Sequence, residues 1–187
     1  AGIFQNQAEI TAHDPNGTLQ PEAKPGDIRF VDQNDDGVLD SDDLIYAGTG
    51  LPKFEYSFNF NFEYKGFDAT LFLQGVGGNK IYDGNAFEMQ GIDAPRNFTS
   101  NVLNAWTPSN TDTNIPRAIL GDPNQNNRAS TRFLHDGAYL RLKTVQLGYT
   151  LSNDISEKLK VDRLRLYVTG QNLFTATSYD GLDPEVG

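Results

Sequence analysis

The sequence predicts an all-β fold, in which antiparallel strands form a segment of a transmembrane β-barrel with long extracellular loops. Two observations lead to this prediction. Residues 53–64 alternate aromatic and polar side chains. The connections between this stretch and the later strand-like stretches are alternately short and very long, as they are in outer-membrane barrels. The pattern favours a sheet with one face toward lipid and the other toward water.

The first predicted strand has an aromatic residue at every second position. Successive side chains of a strand point to opposite faces, so one face of this strand is wholly aromatic. The eleven residues from Phe54 to Tyr64 span roughly 25 Å at a tilt of about 45°, which is the height of the apolar band of such a barrel. The alternative is an amphipathic strand of a soluble β-sandwich. The aromatic residues are Phe54, Tyr56, Phe58, Phe60, Phe62 and Tyr64.

Three further strands complete two predicted transmembrane hairpins, over residues 53–76 and 138–174. The apolar residues of the third strand change parity between Leu142 and Val145. This change predicts either a β-bulge or an end of the strand that leaves the membrane. The four strands are predicted at Lys53–Tyr64, Phe67–Val76, Ala138–Leu151 and Arg163–Phe174.

The lengths of the connections predict the orientation of the strands. Two residues, Lys65 and Gly66, join the first two strands in a tight turn. Long loops of such barrels are extracellular, so we assign residues 1–52 and 77–137 to the outside of the cell and residues 175–187 to the start of another extracellular loop. Shorter elements are predicted as a helix at Gln5–Thr11, strands at Gly26–Val31 and Leu44–Gly48, and a helical turn at Ile155–Leu159.

An acidic loop at residues 32–43 matches the spacing of a twelve-residue calcium-binding loop. Oxygen ligands at loop positions one, three and five converge on one ion, and Gly37 at position six allows the sharp turn. Because the flanking residues are strand-like, we expect a structural Ca²⁺ clip rather than a sensor; the alternative is an acidic turn that binds no ion. The predicted ligands are Asp32, Asn34, Asp36, the carbonyl of Val38, Asp40 and Asp43.

Composition narrows the classes of function. The formal net charge of -10 argues against a nucleic-acid partner, since a phosphate backbone would be repelled. The chain has no cysteine, so thiolate metal sites are excluded. His13 and His135 are predicted to be solvated loop residues, and no catalytic constellation stands out, so we do not expect an enzyme. Trp106 either packs within its loop, which we favour, or stacks on a sugar ring.

Several stretches of the chain together resemble SusC/RagA-type TonB-dependent outer-membrane transporters of Bacteroidetes, and they cover nearly its whole length. Two of them precede the first strand, one covers its beginning, and two lie in the third and fourth strands. The stretches are Gly2-Ile-Phe-Gln-Asn-Gln-Ala-Glu-Ile, Lys24-Pro-Gly-Asp-Ile-Arg-Phe with the loop that follows, Leu51-Pro-Lys-Phe-Glu-Tyr-Ser-Phe, Tyr139-Leu-Arg-Leu-Lys-Thr-Val-Gln-Leu-Gly-Tyr and Leu164-Arg-Leu-Tyr-Val-Thr-Gly-Gln-Asn-Leu-Phe-Thr.

The resemblance implies the C-terminal part of a plugged barrel of about 22 strands in the bacterial outer membrane. Members of this family import oligosaccharides or peptides with energy from TonB, and a SusD-like surface lipoprotein caps the barrel. These residues contain no plug domain and no TonB-contacting segment, so we expect a piece of a larger receptor that contacts TonB through its missing N-terminal portion. The competing hypothesis is a soluble, calcium-stabilised β-domain that binds carbohydrate.

Overall fold

The computed structural model describes residues 2–93, 95 and 97–185, and these fold into two compact units that interleave along the chain. The loop unit contains the described residues of 1–47 and 83–134, and the sheet unit contains those of 48–82 and 135–187. None of the described helices has the length and apolar character needed to cross a membrane.

The strands are β1 (Gly2–Ile3), β2 (Ile28–Arg29), β3 (Phe54–Tyr64), β4 (Phe67–Gly77), β5 (Lys80–Tyr82), β6 (Leu134–Asp136), β7 (Tyr139–Thr150) and β8 (Arg165–Thr177). The α-helices are α1 (Gln7–His13), α2 (Gly84–Gln90) and α3 (Asn153–Lys158), and short 3₁₀ turns lie at Ser41–Asp43, Ser100–Asn104 and Thr131–Phe133.

The sheet unit is built on a four-stranded antiparallel sheet in the order β3-β4-β7-β8. All four predicted long strands are present, with ends that differ from the prediction by up to three residues. A two-residue turn joins β3 to β4, and both of its residues, Lys65 and Gly66, have positive φ, as a type I′ hairpin turn requires. The mostly antiparallel all-β fold is therefore confirmed.

A β-bulge corrects the register in the middle of β7. Phe72 of β4 faces Thr144, whereas the next residue, Leu73, faces Leu142, so Lys143 is the extra residue. The same shift appears between β7 and β8, where Asn172 adopts a φ of 50°. The bulge alternative for the change of parity in the third strand is confirmed.

Because of this bulge, one face of the sheet stays apolar across all four strands. On this face Phe58, Phe60 and Phe62 are 53%, 57% and 63% exposed. The rows of facing residues are Tyr64, Phe67, Tyr149 and Leu166; Phe62, Ala69, Leu147 and Val168; Phe60, Leu71, Val145 and Gly170; and Phe58, Leu73, Leu142 and Phe174. We call this set the apolar face.

The opposite surface, which we call the polar face, carries an ion pair that spans three strands. Arg165 of β8 donates from Nε to Oδ1 of Asp68 on β4, at 2.9 Å, and forms a second bond from Nη2. The pair passes over Gly148 of β7. A Cβ at Gly148 would lie 2.5 Å from both Asp68 oxygens, so the glycine makes the room that the ion pair needs.

Buried polar groups join distant segments of the loop unit. Asp27 is fully buried and accepts from Nε of Arg117 at 2.7 Å, from Nδ2 of Asn126 at 2.9 Å and from the backbone N–H of Lys24 at 2.8 Å. These bonds join the segment around β2 to a stretch about ninety residues later in the chain. Apolar side chains are buried in the same unit, among them a cluster of Phe4, Ile10 and Ala23.

Several predicted short elements differ from the structure. Leu44–Gly48 forms no strand and has no partner strand among the described residues; Leu44 and Ile45 are exposed, and Gly48 has a φ of 122°. The strand predicted at Gly26–Val31 is only two residues long. The first helix begins two residues later than predicted because the side chain of Asn6 caps it by accepting from Glu9 N–H. Sequence patterns missed β5, β6 and α2.

Replacing Gly148 with alanine is expected to lower the free energy of unfolding of the receptor more than the same change at Gly170, because the added methyl displaces the Asp68–Arg165 pair. Gly170→Ala is the matched control, since its Cβ meets only the exposed side chain of Leu173. Urea unfolding of both variants in detergent measures the difference. Equal effects of the two substitutions would contradict this assignment.

Asp27→Asn is expected to destabilise the loop unit by about 3–5 kcal/mol, because it leaves the Arg117 guanidinium without its buried charged partner. Hydrogen exchange of the loop unit measures the change, with the exposed Glu22→Gln as the control. Unchanged protection in Asp27→Asn would show that the buried ion pair is not what holds these segments together.

Candidate functional site

The acidic loop begins with a turn closed by Asp32. Its Oδ1 accepts from the backbone N–H of Asp35 at 2.7 Å, and its Oδ2 accepts from the N–H of Gly37 at 2.8 Å. Gly37 has a φ of 83°, a conformation that side chains other than glycine rarely adopt. The first six residues therefore have the sharp turn that the calcium-loop pattern predicts.

The next two predicted ligands also fold back on the loop. Oδ1 of Asn34 accepts from the N–H of Asp36 at 3.2 Å, and Oδ1 of Asp36 accepts from the N–H of Val38 at 2.9 Å. The Asn34 amide donates to the other oxygen of Asp36 at 2.8 Å. These two side chains are therefore neighbours, as loop positions three and five should be.

The last turn of the loop joins its two ends. Asp43 accepts from the N–H of Gln33 at 2.7 Å through Oδ1 and from the N–H of Asp40 at 2.9 Å through Oδ2. The Asp40 side chain in turn caps the Ser41–Asp43 turn. Position twelve of the loop is thereby brought back beside position one.

This arrangement has the backbone of an ion-binding loop without an assembled ligand cage. Within the described residues, no group of three or more histidine, aspartate or glutamate side chains is placed to hold a metal. The carboxylates instead accept from backbone N–H groups, and each oxygen bound once retains a second lone pair for an ion. The six aspartates between positions 32 and 43 repel one another, and a cation would relieve that repulsion. Calcium binding therefore stays a prediction.

A second cluster of charges lies on the polar face near one end of β7. Arg141 is 6% exposed and donates to Thr175 Oγ1 at 2.9 Å, to Asp183 Oδ1 at 2.5 Å and to Glu185 Oε2 at 2.7 Å. Lys143 donates to both oxygens of Glu185. This cluster was not predicted from the sequence, in which residues 175–187 were assigned only to the start of a loop. The alternate positions of the two basic residues and of the two acidic residues are its only trace in the sequence.

The environment of Asp183 keeps its carboxylate charged. The hydrogen bond from Arg141, together with one from the backbone N–H of Glu185, lowers the pKa of Asp183 below its usual value and outweighs the effect of partial burial. The lowered pKa favours the charged form of Asp183, which is the form that pairs with the Arg141 guanidinium.

The histidines and the tryptophan belong to no shared site. The prediction that both histidines are solvated loop residues is wrong: His13 ends α1 and packs on Phe4 with its ring centroid at 5.5 Å, and His135 lies in β6. Trp106 is 7% exposed, and its Nε1 donates to Gln5 Oε1 at 2.9 Å. The tryptophan packs against Gly26, where a Cβ would clash with the indole ring.

Curated proteins similar to this chain are TonB-dependent receptors. Receptor P3 of Formosa agariphila is 37% identical over 186 residues, which are 98% of this chain and 18% of the receptor. Receptor SusC of Bacteroides thetaiotaomicron is 28% identical over 175 residues, 93% of this chain and 16% of SusC. The chain thus spans less than a fifth of the length of these relatives. No protein-family model matches the chain.

Solved structures point to the same class. The RagAB peptide importer in its closed-closed state aligns with a TM-score of 0.68 at 26% identity, over 81% of this chain and 17% of that chain. The open-open state of RagAB aligns with the same TM-score over 84% of this chain. The chain is therefore homologous to part of the SusC/RagA-type TonB-dependent receptors, and the resemblance seen in the sequence is confirmed. These relatives are receptors and importers, not enzymes.

Proposed function

We propose that this chain is part of the wall and extracellular loops of an outer-membrane TonB-dependent transporter, and that this transporter imports oligosaccharides or peptides with a SusD-like surface lipoprotein. The observation that carries the proposal is the apolar face, which continues across four neighbouring strands. The homology to SusC and to the RagAB peptide importer supports the choice of nutrient class and of partner.

The apolar face has the chemistry of a surface that meets lipid. Its central rows hold phenylalanine, leucine and valine with one alanine and one glycine, and Tyr64 and Tyr149 lie in the row at one end. Tyrosines near the membrane–water boundary and aliphatic or phenyl side chains between the boundaries are typical of transmembrane barrels. A soluble protein rarely exposes so large a continuous apolar patch.

The edges of the sheet support a position inside a larger barrel. Within the described residues, β3 and β8 each pair with one neighbour in this sheet. Their free edges carry backbone groups that lipid cannot satisfy. In the proposal, further strands of the receptor pair with both edges, with the polar face toward the lumen. TonB contacts the receptor through the N-terminal portion outside this sequence.

The loop unit belongs outside the cell in this proposal. Residues 1–52 and 77–137 are long connections of the extracellular side, where nutrient and lipoprotein are met. The competing soluble carbohydrate-binding domain is disfavoured because Trp106 is buried and its Nε1 is bonded to Gln5, which leaves no exposed indole face for a sugar.

Fractionation of the native protein tests the proposal. We expect these residues in the outer-membrane fraction, within a polypeptide of roughly 100 kDa, the size that a plugged barrel of about 22 strands needs. A SusD-like lipoprotein should purify with it in mild detergent. A free 20.7 kDa species in the soluble fraction would contradict the proposal and leave the soluble β-domain as the better explanation.

We propose further that the acidic loop binds one Ca²⁺ as a structural clip. Asp32, Asn34, Asp36, the carbonyl of Val38, Asp40 and Asp43 are the proposed ligands. Support comes from the matched spacing, the turn at Gly37 and the closure of the loop by Asp43. Binding would order the chain that leads into β3 and would require some carboxylates to turn from backbone N–H groups toward the ion.

Calorimetric titration of the folded receptor with Ca²⁺ tests the clip. We expect saturable heat, and at least a tenfold loss of affinity, about 1.4 kcal/mol, in Asp32→Asn, because a charged oxygen ligand is lost. Asp35→Asn is the matched control: it removes the same charge at loop position four, which is not a ligand position. Absence of heat in the wild-type receptor, or equal losses in the two variants, would refute the clip.

A further inference from the structure

The segment that follows β8 is fastened to the polar face mainly by charge. Residues 180–185 leave the end of β8, and Asp183 and Glu185 return to Arg141 and Lys143 of β7. In contrast, Leu182 between them is 84% exposed, so the acidic part of the segment has little apolar packing of its own.

The start of the segment is a tight turn that aims the two carboxylates at β7. Tyr179 is buried, and its N–H donates to Thr177 Oγ1 at 3.1 Å. A Cβ at Gly181 would lie within 2.6 Å of the Tyr179 ring, so only glycine lets the chain fold over this ring. The turn fixes one end of the segment, while the ion pairs hold the other.

Arg141 and Lys143 present donors in the arrangement that carboxylates require. The guanidinium of Arg141 uses Nη1 and Nη2 for two different carboxylates, and the ammonium of Lys143 shares one of them. Arg141 is also positioned by Thr175 of β8 and lies opposite Gln74 of β4. Neither of these strand neighbours supplies a negative charge, so the two cations are balanced by Asp183 and Glu185.

We propose that Arg141 and Lys143 form a carboxylate-binding site on the polar face, which the chain's own Asp183 and Glu185 occupy as a releasable latch. A nutrient that carries carboxylates competes for the same donors and frees residues 180–185. The inference rests on the proposed function in one respect, namely that the polar face lines the lumen. Because the tethered carboxylates act at a local concentration in the millimolar range, an effective competitor needs several carboxylates.

Hydrogen exchange of the full-length receptor in detergent tests the latch. In the double variant Asp183→Asn/Glu185→Gln, exchange of residues 180–185 should accelerate at least about tenfold, because the charge-assisted bonds that hold the segment are lost. Asp180→Asn removes a charge from the same segment, and no ion pair of Asp180 is found among the described residues; its exchange should match the wild type. Equal exchange in all three proteins would overturn the latch.

Competition by added carboxylates tests the site itself. Penta-aspartate and a galacturonic acid trimer are the two probes, and sodium chloride at the same ionic strength is the reference. At least one probe should accelerate hydrogen exchange of residues 180–185 more than the salt does, and this effect should saturate with probe concentration. The same probe should have a weaker effect in the Lys143→Gln variant. The responding probe identifies the source as an acidic peptide or an acidic sugar. Acceleration by salt alone, or by neither probe, would overturn the carboxylate site.

This experiment separates the latch from the proposed function. Exchange reports the contact between residues 180–185 and β7 in the purified receptor, whether or not the receptor transports. Fractionation, in contrast, detects a failure of the outer-membrane assignment. Such a failure would not change the measured exchange rates of residues 180–185.

Discussion

The structure depends on strand pairing that places the apolar side chains of all four strands on the same face of the sheet, from β3 at one edge to β8 at the other. A slip of one residue moves every side chain of a strand to the other face. The bulge at Lys143, matched on β8 near Asn172, restores the register where the parity of β7 changes. Without it, Leu140 and Leu142 would lie on the polar face, and Arg141 would lie on the apolar face.

In the polar face and in the loop unit, ion pairs join segments that lie far apart in sequence, and Asp27 of the loop unit is fully buried. Asp68 with Arg165 and Asp27 with Arg117 each join segments about ninety residues or more apart. A buried pair such as Asp27–Arg117 is costly to bury and costly to break, so it specifies which segments meet.

The sequence predicted the long strands well because a face in contact with one kind of solvent imposes strict alternation, as residues 53–64 show. It also located the bulge, since Leu142 and Val145 break that alternation.

The short elements were predicted poorly: Leu44–Gly48 has a strand-like pattern but no partner strand in the described chain, and α1 starts where Asn6 caps it. The Arg141–Asp183 contact was missed because it depends on a turn around Tyr179. The backbone of the acidic loop has the turn that its sequence pattern predicts, whereas its carboxylates accept from backbone N–H groups.

The most direct test of the account is the solvent seen by successive residues of β3 in the full-length receptor in lipid bilayers. These residues contain no cysteine, and a nitroxide is placed on a single cysteine introduced in turn at each position from 58 to 63, with any cysteine elsewhere in the receptor replaced. We predict that collisions with oxygen dominate at Phe58, Phe60 and Phe62, and that collisions with a water-soluble nickel complex dominate at Asn59, Asn61 and Glu63. Loss of this alternation, or oxygen access no higher at the phenylalanines, would contradict a lipid-facing apolar surface.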